Sequence, residues 1–491
     1  MKKILILIPP RHRGRWVSRE YKDGYYDLPH PPYLMLSTAA VLKQRFPESV
    51  LTFLDAQCEA LDFRSVEERV AALQPDVIIC SLGTISIRED ARYLEFRFPT
   101  IGVMQAYLNK PEGVKKYNLK AQYYTDREVE LTVAEAVEEI INTGSIENTR
   151  GLYLKRGDEI SFTGERETDN LSHLPRPLFE ISDPRQYLRI QQAESGTGFM
   201  FLYTARGCPF ICSFCAPPGP SYRKVLYKNA DQVIEEISFL QECYGISTFY
   251  FMDDEFASDI ARAKEICRKI IARKLGISFV IYNNVKLVDE ELMILLKRAG
   301  CTLIRYGVET ADKSIQIATH KNLSREQIIR AFQLSSRNGI LTDAFFLIGF
   351  PGETDKTLKE NLRLIRDMQP DRITPGILFP KPYSKMYDEF KASGSLLTED
   401  WSELYPDKLS YRHEYYHSSE DIVKAMHALS RTADRFISFR EIFVNRTGKN
   451  LYSRLGRFLM TFDRVRSLIK KHQWLHYMLR KPYQPSSKLR I

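Results

Sequence analysis

With 491 residues, 44% hydrophobic and 27% charged, the chain has an ordinary globular composition and the length of roughly three domains. No apolar run reaches the length of about 18 residues that a membrane-spanning helix needs. The net charge of +9 is uneven: residues 431–491 hold 15 Lys/Arg against 3 Asp/Glu, so the tail carries +12 and the preceding chain −3. Eight cysteines, three of them clustered, do not make a disulfide framework at this length. Cys58, Cys80, Cys243, Cys267 and Cys301 are scattered in apolar surroundings and are expected to be reduced core residues, which fits a cytoplasmic protein.

Met1-Lys-Lys ahead of Ile4–Ile8 has the start of a signal peptide, but Pro9-Pro10 cuts the apolar run short, so Lys3–Ile8 is expected to be a first buried strand. Pro29–Pro32 is a rigid loop, and Tyr33–Phe46 carries apolar residues at helical spacing. Strands are expected at Val50–Leu54 and Asp76–Leu82, with a helix at Val66–Leu73 between them. Alternation at this spacing predicts a parallel α/β sheet whose ligands bind beyond the carboxyl ends of the strands. Those ends carry Pro9-Pro10, Asp55-Ala56, Ser81-Leu-Gly83-Thr84 and, in Thr100–Gln105, the single glycine Gly102. His12 and His30 read as loop residues. Leu152–Ile160 has the pattern of a hairpin turning at Arg156-Gly157-Asp158, and Asp169–Leu178 is a proline-rich connector containing His173.

From residue 199 strand and helix alternate again. Phe199–Tyr203 is a short buried strand, and the loop Thr204-Ala-Arg-Gly-Cys208-Pro-Phe-Ile-Cys212-Ser-Phe-Cys215 follows it. Thiols at spacings of four and three must converge on one centre. Structural zinc wants four protein ligands, and residues 216–242 supply neither a His nor a fourth Cys. A [4Fe–4S] cluster on three thiolates leaves one iron open for a substrate or cofactor. Strands are expected at Thr248–Met252, Ser278–Tyr282, Thr302–Tyr306 and Thr342–Ile348. They end at Asp253-Asp254-Glu255, Asn283-Asn284, Gly307-Val-Glu309 and Gly349-Phe-Pro-Gly352-Glu353. Ile373–Leu378 follows, and helices lie between the strands. Polar residues at successive strand ends are where barrel-type α/β folds place chemistry. Asp253 and Asp254 could equally cap a helix, and Glu309 could pair with Arg305 or Arg325.

The Cys-x3-Cys-x2-Cys loop, with Phe214 before the last ligand, resembles the signature of the radical S-adenosylmethionine (SAM) enzymes. The Ile-Leu-Ile-Pro-Pro start, Pro31-Pro32, Leu54-Asp55-Ala56 and Pro75-Asp76-Val77-Ile78 resemble the cobalamin-binding domain that precedes many of them. The resemblance spans nearly residues 3–395. It implies a Rossmann-like domain (1–145), a linker with a hairpin (146–198), a partial (β/α)6 barrel (199–395) and a helical basic extension (396–491). It implies a [4Fe–4S] cluster on Cys208, Cys212 and Cys215, whose open iron chelates SAM for reductive cleavage. It places Phe214, Asp253, Asp254, Glu255, Asn283, Glu309, Gly349 and Glu353 at SAM, and Pro10, Asp55, Ser81, Thr84 and Gly102 at cobalamin. One Gly stands where typical members have a Gly-Gly turn, and no Asp-x-His-x2-Gly lower-ligand motif is present.

The leading expectation is cobalamin-dependent C-methylation by a deoxyadenosyl radical, with an external electron donor of the flavodoxin or ferredoxin type and a small-molecule or lipid substrate. The same parts in other members perform cyclisation or oxidation. A tRNA methylthiolation reading lacks the additional cysteines and RNA-binding β-domain of that group. A zinc-stabilised binding protein is the non-enzyme alternative. The basic, apolar spacing of residues 451–480 fits either a helix packed on the body or peripheral membrane contact. No nucleic-acid-binding fold accompanies the charge.

Overall fold

The computed structural model describes residues 1–19, 24–104, 110–125, 129–166, 170–215, 224–404 and 408–433. These form two compact units. One holds Met1–Pro209, Phe214–Asp253 and residues 380–404; the other holds Phe210–Ser213, Asp254–Phe379 and residues 408–433. The expectations for Gln105, Asp169 and the stretch 451–480 lie outside the described residues. Among the described residues no helix is long and apolar enough to cross a membrane.

The first unit is built on β1 (Lys3–Ile8), β2 (Trp16–Ser18), β3 (Gly24–Tyr26), β4 (Val50–Asp55), β5 (Val77–Leu82), β6 (Thr100–Met104), β7 (Tyr123–Thr125), β8 (Leu152–Arg156) and β9 (Glu159–Phe162). Seven of these make one sheet in the order β4-β1-β5-β6-β7-β8-β9. The first five positions are parallel, and the last two are added antiparallel. The amino-acid pattern explains the order. β5 is buried at every residue and sits inside the sheet, whereas β4, at the edge, begins with exposed and half-exposed residues. Ile4, Ile6 and Ile8 share one core with Val77, Ile79, Ile101 and Val103, closed by Leu34 and Met35 of the helix Tyr33–Arg45 and by Val133 and Val137 of the helix Val129–Thr143.

The expected hairpin is present as β8–β9, but it extends the sheet rather than standing in a linker. The antiparallel β2–β3 pair was not foreseen. Its strands are three residues long, too short for periodicity to register. Cys80, Cys267 and Cys301 are buried as expected, and Cys58 is half-buried. Cys243 is exposed, because it lies on the solvent side of the helix Ala230–Tyr244.

The first unit also contains β10 (Met200–Leu202), β11 (Ala205–Arg206), β12 (Leu226–Tyr227) and β13 (Thr248–Phe251); β10 and β13 pair in parallel. The second unit carries β14 (Ser278–Asn283), β15 (Cys301–Glu309), β16 (Leu341–Ile348) and β17 (Arg372–Ile377), all parallel in sequence order. Alternation divides the residues of β15. Ile304, Tyr306 and Val308 are buried, and Tyr306 reaches Ser335 of the helix Arg325–Arg337 (2.9 Å). The odd positions Arg305 and Gly307 fall on the opposite face and are half-exposed. On that face Arg305 donates to the Tyr282 hydroxyl (2.7 Å), and Thr374 donates to Asp343 (3.0 Å).

Helices enter on side-chain caps: Asp259, Asp289, Asp312 and Ser324 each accept from the first turn. Asp253 and Asp254 do not cap the helix Ile260–Ala272; Asp259 does. Gly300 ends the helix Glu290–Ala299 at φ +104°, and a Cβ there would strike the Ile277 carbonyl oxygen, which is backbone. Gly300→Ala is therefore expected to destabilise by about 3 kcal/mol or more. Gly245→Ala, at a helix end with nothing within 4 Å, is expected to cost about 1 kcal/mol. Denaturant midpoints of both variants against the wild type check the difference.

Candidate active site

In the first unit the chain leaves β10 and enters the cysteine loop under the control of one carboxylate. Asp253, 1% exposed, accepts from the Thr204 N–H (2.6 Å) and the Ala205 N–H (3.0 Å) on one oxygen and from the Thr204 hydroxyl on the other. The Met252 N–H donates to the Leu202 carbonyl (2.7 Å), and the Lys228 N–H to the Thr204 carbonyl (3.0 Å). Arg206, two residues before Cys208, pairs with Glu130 in a buried bidentate contact; burial works against the Glu130 carboxylate, but the guanidinium outweighs it and holds the pKa below its ordinary value. The sequence did not single out Arg206 or Glu130; their contact joins positions 76 residues apart. Cys208 and Phe214 are half-exposed and Cys215 is exposed, and neither cysteine is in a disulfide.

In the second unit Cys212 is half-exposed and in no disulfide, and its neighbour Ser213 donates its N–H to the Thr319 carbonyl (2.9 Å). Two residues beyond Thr319, the buried ammonium of Lys321 lies 3.1 Å from Glu309 Oε1. Glu309 is itself held at φ +67°, a conformation that L residues seldom adopt. Gly307 makes room for the pair, since a Cβ there would lie 2.6 Å from Glu309 Oε1 and 2.8 Å from Lys321 Nζ. Burial pulls the Lys321 pKa down, but Glu309, Cys212 and Glu255 outweigh it and the net shift is upward. Neither of the partners considered for Glu309 is used. Arg305 is turned to Tyr282 and Asp343, and Arg325 pairs with Asp367. Lys321 escaped notice because it reaches Glu309 only through a turn with His320 at φ +57° and Asn322 at φ +51°.

The remaining candidates divide between scaffold and open positions. Asn283 accepts from the Ala257 N–H (3.1 Å) and donates to the Asn284 (3.2 Å) and Leu287 (2.8 Å) carbonyls, so it organises the turn after β14. Asp254 is exposed and Glu255 is buried. Gly349 stands at φ +105°; its carbonyl accepts from the Tyr411 hydroxyl, and its N–H donates to Glu353 Oε2 (2.8 Å). Burial pushes the Glu353 carboxyl up to about 7 against the lowering effect of the Gly349 and Phe350 N–H groups.

At the strand ends of the seven-stranded sheet the polar candidates already have partners. Arg19 is buried beside Asp90 (2.7 Å) and also donates to the Pro10 carbonyl (2.9 Å), while Ser81 donates to the Arg19 carbonyl (3.3 Å). Asp55 accepts from the Gln57 (3.0 Å) and Cys58 (3.0 Å) N–H groups and from the Tyr187 hydroxyl (2.6 Å). Thr84 is buried, and a Cβ on Gly102 would meet the Tyr124 ring at 2.8 Å.

Three thiols within eight residues, none in a disulfide, suit a cubane cluster: they supply soft ligands for three irons and no fourth. Residues 202–365 match the family model described as the radical SAM superfamily. The chain carries a radical SAM domain. The chain is 27% identical over 400 residues to the anaerobic magnesium-protoporphyrin IX monomethyl ester cyclase of Rubrivivax gelatinosus, covering 79% of this chain and 70% of that one. It is 24% identical over 408 residues to an uncharacterized methyltransferase of Pyrococcus horikoshii, covering 81% and 85%. It shares its fold with the radical SAM methyltransferase TsrM of Kitasatospora setae, solved with cobalamin and a [4Fe–4S] cluster, at TM-score 0.64 and 20% identity over 81% of this chain and 80% of that one. The mixed α/β architecture with parallel sheets is thereby established.

A carboxyl whose folded pKa lies above its ordinary value holds its proton better folded than unfolded. Glu353 therefore favours folding most below its ordinary value of 4.5 and loses that contribution as the pH rises through about 7. Glu353→Gln, which cannot ionise, should gain on the wild type by up to about 3 kcal/mol between those limits. Urea unfolding of both proteins at pH 5 and pH 8 measures it, and a pH-independent difference would refute the assignment.

Proposed function

We propose that the enzyme removes a hydrogen atom from an unactivated carbon of a small organic substrate and, with cobalamin, places a methyl group there. The observation that carries the reading is the thiol loop Cys208–Cys215 directly after β10, inside a radical SAM match and downstream of a doubly wound sheet in the order β4-β1-β5-β6-β7. Cys208, Cys212 and Cys215 would hold the cluster. When bound, the cluster supplies one electron to split SAM into methionine and a 5′-deoxyadenosyl radical, and cobalamin carries the methyl group.

The protein's own residues do the rest. Asp253 and Arg206 anchor the entry to the thiol loop, and we assign Glu309, Glu255, Asp254 and Phe214 to SAM. Asn283 and Glu353 shape the turns from which backbone groups and Gly349 would approach it. We assign cobalamin to the strand ends of the first unit. Pro10, Asp55, Ser81, Thr84 and Gly102 would meet it through shape and backbone, because the polar side chains among them are engaged within the protein. The finer architecture we infer is a partial (β/α)6 barrel over 199–395 and a helical extension beginning with Ser419–Ala433. Cyclisation is the second reading, favoured by the name of the Rubrivivax relative.

Anaerobic reconstitution should give about four iron and four sulfide per chain. Alanine at any one of the three cysteines should abolish the cluster and cut 5′-deoxyadenosine formation from SAM by at least about a hundredfold. Zinc without iron, or an intact cluster in an alanine variant, would overturn the reading. Corrin absorption that stays with the protein through gel filtration supports the methyl-transfer form; its absence leaves the radical step with cyclisation or oxidation.

A further inference from the structure

The second unit contains a buried cation that the function so far has not used. Lys321 pairs with Glu309 at the end of β15 (3.1 Å), and Glu255 and Cys212, from separate segments, add to the field that favours its charge. Its side chain is 9% exposed and that of Glu309 11%, so solvent screens them little. Three further features concentrate on this ammonium. Gly307 leaves the space that Nζ and Glu309 Oε1 occupy. The residues on either side of Lys321, His320 and Asn322, both have positive φ, as does Glu309. The Ser213 N–H to Thr319 carbonyl bond (2.9 Å) ties the loop bearing Cys212 to the turn bearing Lys321. Strain at three non-glycine residues around one buried charge is costly, and such strain gathers where a geometry serves function.

We propose that Lys321 is a positioning residue that holds Glu309 in place and raises the reduction potential of the cluster carried on Cys212. The inference rests on the radical SAM reading and goes beyond it. The physical reason is Coulombic. Reduction adds one negative charge to a centre already ringed by thiolates and carboxylates, and a fixed ammonium in a poorly screened setting favours the reduced form. One electron enters from the external donor and no bond is made or broken in that step. Without the ammonium, Glu309 and Glu255 would both disfavour reduction, and the donor would have to be stronger.

The test uses the full chain, reconstituted anaerobically, with Lys321→Met, Lys321→Arg and Glu309→Gln beside the wild type. Iron and sulfide are counted first, and the cluster potential is then read by a redox titration followed by electron paramagnetic resonance, without SAM. Lys321→Met should shift the midpoint to a more negative value, Lys321→Arg should restore it towards the wild type, and Glu309→Gln, which removes a negative charge instead, should shift it to a more positive one. A purely structural role would move cluster content and stability without this pattern of signs. If Lys321→Met assembles no cluster, the sign of the Glu309→Gln shift decides. A midpoint in Glu309→Gln that is unchanged or more negative overturns the proposal, as does a full cluster in Lys321→Met at the wild-type potential. Wild-type protein that assembles no iron–sulfur cluster would instead end the radical SAM reading itself.

Discussion

The buried carboxylate of Asp253 governs where the chemistry starts. A strand must end before a ligand loop can begin, and its last backbone donors must go somewhere once they leave the ladder. Here they go to Asp253, which accepts the Thr204 and Ala205 N–H groups and the Thr204 hydroxyl. Three donors offset the cost of burying a charge, and an acceptor at the end of β13 can then dictate the path of the chain after β10. Arg206 continues the same logic, since its buried bond to Glu130 fixes the approach to Cys208 from the side of the helix Val129–Thr143. Family resemblance puts Asp253 at SAM. The hydrogen bonds give it a prior task, and its influence on SAM would pass through the loop it holds.

Much of this architecture was readable in advance, for a simple reason. Buried parallel strands need near-continuous apolar runs, and Ile4–Ile8, Val77–Leu82 and Thr342–Ile348 announce themselves that way. The thiol loop was readable because metal ligation demands particular residues at particular spacings. What escaped the reading depends on contacts between segments far apart in sequence. The β2–β3 pair is too short to show a period, and Lys321 finds Glu309 through a turn that apolar periodicity does not register. The hairpin β8–β9 was seen as a hairpin but not as part of the sheet, because pairing with β7 is decided by an edge and not by the hairpin's own residues.

The strand ends of the first unit show a different limit. Pro10, Asp55 and Ser81 stand where a doubly wound sheet presents its ligand site. Residue type alone cannot say whether a polar group there faces a ligand or a neighbour. Here each has a neighbour: Arg19 bonds the Pro10 carbonyl and receives the Ser81 hydroxyl, and Tyr187 donates to Asp55.

Buried ion pairs recur at these junctions: Arg19 with Asp90, Arg206 with Glu130, Lys228 with Glu236, and Lys321 with Glu309. Such pairs add little net stability over apolar residues of the same volume, yet breaking one typically costs about 3–5 kcal/mol. That asymmetry suits a fold that must hold irregular loops at the ends of regular strands. Apolar packing would stabilise those places as well but would tolerate several arrangements. A guanidinium or ammonium facing a buried carboxylate tolerates one. Tyr33 shows the consequence, since its hydroxyl donates to Glu236 (2.6 Å), which also receives Lys228, so the helix Tyr33–Arg45 is locked to the segment that follows the thiol loop. The energetic return on these pairs is therefore geometry: each spends desolvation to select one position for a loop, and two of the four, Arg206–Glu130 and Lys321–Glu309, stand beside the segments that carry the cysteines.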